Sequence, residues 1–137
     1  MNQKQPKTIV IIDDDFDYSE LVQHVLSKAG YSVITLTNPQ NLLETVKKDQ
    51  KPDLIILDIM LPNISGLSLL EELKKDQETR EISIFCLTNL TEEVGREKAL
   101  SLGAYSYLTK FHYSLHDIVK HVDFFFAEKF NAPLIED

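Results

Sequence analysis

Short apolar runs without alternation punctuate the chain: Ile9-Val10-Ile11-Ile12, Leu54-Ile55-Ile56-Leu57, Ile84-Phe85-Cys86-Leu87 and the shorter Tyr107-Leu108. Strands covered by helices on both faces read this way, whereas half-exposed strands alternate. Helical spacing fills the gaps between them. Thr8–Asp13 is predicted as a first strand, and Tyr18, Leu21, Val22, Val25, Leu26 and Ala29 as the inner stripe of a helix that Gly30 ends. Ser32–Leu36 is a second strand; Asn38-Pro39 opens a second helix with Leu42, Leu43 and Val46 facing inward. Pro52 precedes a third strand, Asp53–Asp58, and Ile59–Ser65 is a loop punctuated by Pro62 and Gly66. A third helix carries Leu67, Leu69, Leu70 and Leu73, before a fourth strand over Ile82–Leu87. Thr91–Leu102 is a weaker helix, interrupted by Gly95 and closed by Gly103; Tyr105–Leu108 is the fifth strand. The final helix, Ser114–Lys129, turns Leu115, Ile118, Val119, Val122 and Phe126 inward, leaves Phe125 at the edge and points Phe124 to solvent.

Alternating strands and helices of these lengths predict an α/β domain, a doubly wound (βα)5 sandwich around a parallel sheet. The domain is expected over residues 8–130, with tails at 1–7 and 131–137. A formal charge of −8, with no compensating basic patch, argues against direct binding of nucleic acid, whose phosphates need a basic face. No apolar stretch is long enough for a membrane span or a signal peptide, so a cytoplasmic protein is expected. The single cysteine, Cys86, lies in an apolar run and reads as a buried, inert thiol. His24, His112, His116 and His121 are scattered and read as surface residues; His112 and His116 lack further ligands for zinc.

The chemistry collects at the ends of the apolar runs. Asp13-Asp14-Asp15 follows the first, Asp58 the second and Thr88 the third, while Lys110 comes just after Tyr107-Leu108. In an open parallel sheet the ligand crevice lies outside the carboxyl ends of the strands, so these groups converge on one rim. Clustered carboxylates repel one another unless a cation joins them, and a hard ion such as Mg2+ suits oxygen donors. Asp15 and Asp17 read more simply as acids favoured at a helix N-terminus.

In this arrangement the chain resembles a receiver domain of bacterial two-component response regulators. The resemblance spans about Thr8 to Lys129 and rests on Asp13-Asp14, on Pro52 to Gly66 with Asp58, Pro62 and Gly66 in place, and on Ala99 to Lys110. It implies the flavodoxin-like strand order 2-1-3-4-5. It also implies that Asp58 takes a phosphoryl group from a sensor histidine kinase or a phosphotransfer protein. Mg2+ would be held by Asp14, Asp58 and the Met60 backbone carbonyl, with Asp13 acting mainly through water. Lys110 and Thr88 would bind phosphoryl oxygens, helped by the backbone N–H after Thr88. Tyr107 would rotate inward as Thr88 moves, changing the surface of the fourth helix, fifth strand and fifth helix for a protein target. The resemblance implies no enzyme activity beyond the domain's own phosphorylation and dephosphorylation. A single-domain regulator in a phosphorelay is expected, and a homodimer formed on phosphorylation stays open.

Two positions depart from the family's pattern. Asn89 stands where a small residue usually follows the switch threonine, and Phe111 where proline usually follows the lysine. A non-proline cis bond costs about 2.5–4 kcal/mol, so the Lys110–Phe111 bond is expected to be trans. These departures keep a second reading open, a pseudo-receiver that binds proteins constitutively. A flavin carrier fits poorly, because the acidic Asp13–Asp17 loop opposes a phosphate. A phosphatase with Asp13-Asp14-Asp15 as its nucleophile motif leaves Asp58 unexplained. Phe124, on the face such domains use for partners, is a candidate interface residue.

Overall fold

The computed structural model describes residues 5–37, 42–48, 51–61, 64–91 and 93–129. Strand β1 (Thr8–Ile12) leads into α1 (Phe16–Lys28), β2 (Ser32–Leu36) into α2 (Leu42–Lys48), and β3 (Leu54–Leu57) into α3 (Gly66–Lys75). Strand β4 (Ser83–Thr88) is followed by α4 (Glu93–Ser101), and β5 (Ser106–Thr109) by α5 (Leu115–Lys129). The sheet has the order β2-β1-β3-β4-β5, and every ladder is parallel. The expected order and fold class are therefore observed. The second helix begins at Leu42 among the described residues; Asn38, Pro39 and Pro62 lie outside them.

The absence of alternation in the strands has its cause in the packing. Val10, Ile12, Ile55, Leu57, Ile84 and Cys86 face a core shared with Leu42, Val46, Leu69, Leu70, Leu73 and Ala99. Ile9, Ile11, Leu54, Ile56, Phe85 and Leu87 face the other, with Val22, Leu26, Ile118, Val122, Phe125 and Phe126. Both faces of the central strands are dry, so successive residues must all be apolar.

Three expectations need correction. Leu21 is 52% exposed, because the buried face of α1 is Ser19, Val22 and Leu26 and Leu21 falls outside it. Phe125 is not at the edge of α5 but 1% exposed. It stands edge-on to Phe85 and Tyr105, at centroid distances of 5.4 and 4.9 Å, and this aromatic cluster draws the helix round. Gly95 does not interrupt α4. It is buried within the helix, where a Cβ would lie 2.8 Å from Leu90 Cδ2 and 3.5 Å from the Tyr107 hydroxyl. Phe124 is exposed, as its helical position predicts.

Candidate functional site

The carboxyl ends of β1, β3, β4 and β5 bring the acidic, hydroxyl and lysine groups together, as doubly wound topology requires. Asp13 and Asp58 begin the loops after β1 and β3, while their amides still complete the sheet edge: Asp13 N–H donates to Leu36 O at 3.2 Å and Asp58 N–H to Ile12 O at 2.9 Å. Both aspartates are buried. Lys110 N–H donates to Thr88 O at 2.8 Å, which fixes the turn after β5 against the end of β4.

From that turn the Lys110 side chain, itself buried, reaches across the rim. Its Nζ lies 2.8 Å from Asp13 Oδ2 and 3.1 Å from Asp58 Oδ2. The other carboxylate oxygens cap local turns: Asp13 Oδ1 accepts the Asp15 N–H at 2.9 Å, and Asp58 Oδ1 accepts the Met60 N–H at 2.9 Å. Asp14 is exposed at the mouth. No cis peptide bond occurs among the described residues, so Phe111 follows Lys110 through a trans bond, and the lysine still reaches both acids.

Charge balance here favours a further cation. Burial pushes the Asp13 carboxyl up to about 6, despite the opposing hydrogen bonds from Lys110 and the Asp15 amide. Burial works against the Lys110 charge, but its bond to Asp13 and the charges of Asp58 and Asp13 outweigh that and hold it above its ordinary value. One ammonium thus faces several carboxylates. Asp13, Asp14 and Asp58 can each present an oxygen such that all lie within 4.8 Å of one another. Hard carboxylate donors at that spacing fit Mg2+, with water completing the coordination.

Thr88 is fully buried as the last residue of β4, and its hydroxyl accepts the Leu90 N–H at 3.3 Å. Asn89 is exposed beside it, and Met60 exposes its side chain on the neighbouring loop. Tyr107 is buried rather than waiting at the surface: its hydroxyl donates to Leu90 O at 2.7 Å, and Arg96 Nη1 donates to Tyr107 O at 3.1 Å. Phe124 is on α5, on the outer side of a helix whose buried residues are Ile118, Val122, Phe125 and Phe126. Cys86 is buried, and burial with the Asp58 charge pushes its thiol up to about 12, an inert state. All four histidines are exposed.

Sequence reasoning missed one residue of the site. Tyr18 counted only as a core position of the first helix, yet Lys110 Nζ stands 4.4 Å from the centre of its ring. Its place one helical turn after the acidic triplet was the available signal, since that turn rises from the same rim.

Comparison with known proteins identifies the family. The family described as the response regulator receiver domain matches residues 9–123. The chain is 42% identical over 104 residues to the phosphate regulon transcriptional regulatory protein PhoB of Pseudomonas aeruginosa, covering 76% of this chain and 45% of that protein. It is 30% identical over 105 residues to the polar-differentiation response regulator DivK of Brucella anthropi, covering 77% of this chain and 85% of that one. The solved structure of the Mn(2+)-bound form of response regulator Rcp1 is similar with a TM-score of 0.77 at 26% identity, over 96% of this chain and 100% of that one. The chain spans less than half the length of the first curated relatives it matches. Its matched segment runs from within β1 into α5 and carries the acidic pair, Asp58, Thr88 and Lys110, so the chain belongs to the response regulator receiver domain family.

Proposed function

We propose that the chain acts in a phosphorelay, taking a phosphoryl group onto Asp58 from the phosphohistidine of a sensor histidine kinase or a phosphotransfer protein. An Asp58 oxygen attacks phosphorus, the bond from phosphorus to the donor imidazole nitrogen breaks, and that nitrogen keeps the electron pair. The observation that supports this most is Lys110 Nζ, 3.1 Å from Asp58 Oδ2 and 2.8 Å from Asp13 Oδ2, in a buried pocket with more carboxylate than cation. A phosphoryl group is anionic and must approach an anionic acceptor. Asp14, Asp58 and the Met60 carbonyl would hold Mg2+, with Asp13 acting mainly through water, and the ion would supply charge neutralisation at the anionic acceptor. Lys110 pairs with a phosphoryl oxygen as a point charge, and the Thr88 hydroxyl with the Asn89 amide bonds another.

The output in this reading is binding of a downstream protein on the α4–β5–α5 face, with Phe124 a candidate contact and a phosphorylation-dependent homodimer one form the response takes. Tyr107 couples Thr88 to that face. The chain has no turnover beyond its own phosphorylation and dephosphorylation, and it works in the cytoplasm. No helix among the described residues is long and apolar enough to cross a membrane.

Intact-mass spectrometry after incubation with Mg2+ and acetyl phosphate tests this reading. Wild type is expected to gain one phosphoryl group, and Asp58→Asn or wild type in EDTA none. A wild-type protein that binds Mg2+ yet gains nothing would support the pseudo-receiver reading instead, with Asn89 and Phe111 the residues to revert first.

A further inference from the structure

Lys110 is held from three sides, and only two of them are carboxylates. The third is the Tyr18 ring, whose centre is 4.4 Å from Nζ. The acidic triplet itself positions that ring. Asp13 Oδ1 accepts the Asp15 N–H at 2.9 Å, and Asp15 Oδ1 accepts the Tyr18 N–H at 3.1 Å as the N-cap of α1. The loop that supplies the pocket's acids therefore also aims the first turn of α1 at the lysine. Tyr18 packs as well against the core formed with α5, which limits the freedom of its ring. Its hydroxyl oxygen is buried and has no hydrogen-bond partner among the described residues, so the contact with Lys110 is one of ring and charge.

The two kinds of partner behave differently during phosphoryl transfer. This argument rests on the proposed role of Asp58. When Asp58 becomes an acyl phosphate it ceases to be a carboxylate, and a cation held by Asp13 would compete with the ammonium for that acid. Both attractions that hold the ammonium then change. The face of an aromatic ring attracts a cation through its quadrupole and is unaffected by either event. It also consumes no N–H donor. An ammonium has three donors, and Asp13 and Asp58 take two.

We infer that Tyr18 is a positioning residue for Lys110, its ring keeping the ammonium over the pocket while the carboxylates exchange partners. The test compares wild type, Tyr18→Phe, Tyr18→Leu and Tyr18→Met, each as the full chain. Tyr18→Leu is expected to slow phosphorylation by acetyl phosphate with Mg2+ about three- to tenfold, the range a cation–π contact of this kind supports. Tyr18→Phe keeps the ring and is expected to restore the rate. Tyr18→Met fills the site with a flexible apolar chain and repeats the Leu result if Tyr18→Leu does not fold.

A second readout needs no phosphodonor. The 15N resonance of the Lys110 ammonium, assigned with Lys110→Met, is visible only when Nζ is held out of exchange with water. It is expected in wild type and Tyr18→Phe and to broaden in Tyr18→Leu and Tyr18→Met. An unchanged resonance in the aliphatic variants, or a rate loss in Tyr18→Phe equal to that in Tyr18→Leu, would overturn the inference. Wild type that takes up no phosphoryl group would overturn the reading of Asp58, while the ammonium resonance would still decide for or against Tyr18.

Discussion

The Tyr107 hydroxyl donates to the Leu90 carbonyl across 2.7 Å, while the Leu90 amide donates to Thr88 Oγ1 at 3.3 Å. One loop residue thus touches the end of β4 with its N–H and the ring of β5 with its C=O. Tyr107→Phe keeps the ring and removes the donor. The variant is expected to lose about 1 kcal/mol of stability, the ordinary net worth of such a bond. Urea unfolding of the two proteins reads this directly, and an unshifted midpoint would mean that water replaces the hydroxyl without loss.

Gly66 opens α3, where helix propensity alone would favour alanine by about 1 kcal/mol. Packing reverses the sign. A Cβ there would lie 2.2 Å from Ile59 Cα and 2.8 Å from its carbonyl carbon and oxygen, backbone atoms that cannot swing away. The Gly66 N–H also donates to Ile59 O at 3.1 Å, closing the loop that follows Asp58. Gly66→Ala is expected to cost about 2–4 kcal/mol and to weaken Mg2+ binding, because the displaced loop begins at Asp58, one of the clustered carboxylates. Thermal melts with and without Mg2+ measure both effects; a more stable variant would contradict the packing argument.

Much of this was legible from residue order alone. Doubly dry strands leave apolar runs that need no partner to be recognised, and the groups after them fall on one rim by topology. Orientation within helices was less legible. Phe125 and Leu21 depart from the helical stripe because a fixed angular step knows nothing of the ring cluster around Phe85 or of how α1 is turned on the sheet, with Ser19 buried in place of Leu21. Gly95 reads as a breaker in sequence, whereas its reason is the approach of Leu90 and Tyr107, residues 5 and 12 positions away. Tyr18 was hidden for a related cause: its partner Lys110 is distant in sequence, after the fifth strand.

The raised Asp13 carboxyl makes a pH prediction with a definite sign. Between its ordinary 3.8 and about 6, the folded protein binds a proton that the unfolded chain releases. The group's stabilising contribution is therefore full below 3.8 and lost as pH rises through about 6. In EDTA at pH 8, Asp13→Asn is expected to be more stable than wild type by about 1–2 kcal/mol, and the two should converge as pH falls toward 4. Denaturant titrations across that range decide it. A variant less stable at pH 8 would show that the ion pair with Lys110 outweighs the burial of the charge.

Lys110→Met removes the cation that separates two buried acids. Without it Asp13 and Asp58 face each other, and breaking a buried pair of this kind costs about 3–5 kcal/mol. Mg2+ should recover part of that loss, so the rise in melting temperature on adding Mg2+ is expected to be larger in the variant than in wild type. Equal shifts would mean that metal and lysine serve different acids.

Lys110 follows β5 at one margin of the sheet, whereas Asp13 follows β1, with β3 and β4 lying between them. Among the described strands, β5 has only β4 as a ladder neighbour. The lysine is then a strut that braces an outer strand against the middle of the molecule, and the strut ends on the acids of the pocket. Whatever draws Lys110 away from Asp13 alters the anchorage of β5 and, through it, the fraying of the outer strand. Amide exchange at Ser106–Thr109 should for this reason track pocket occupancy more closely than exchange at β2, the opposite margin, which lacks such a brace to Lys110.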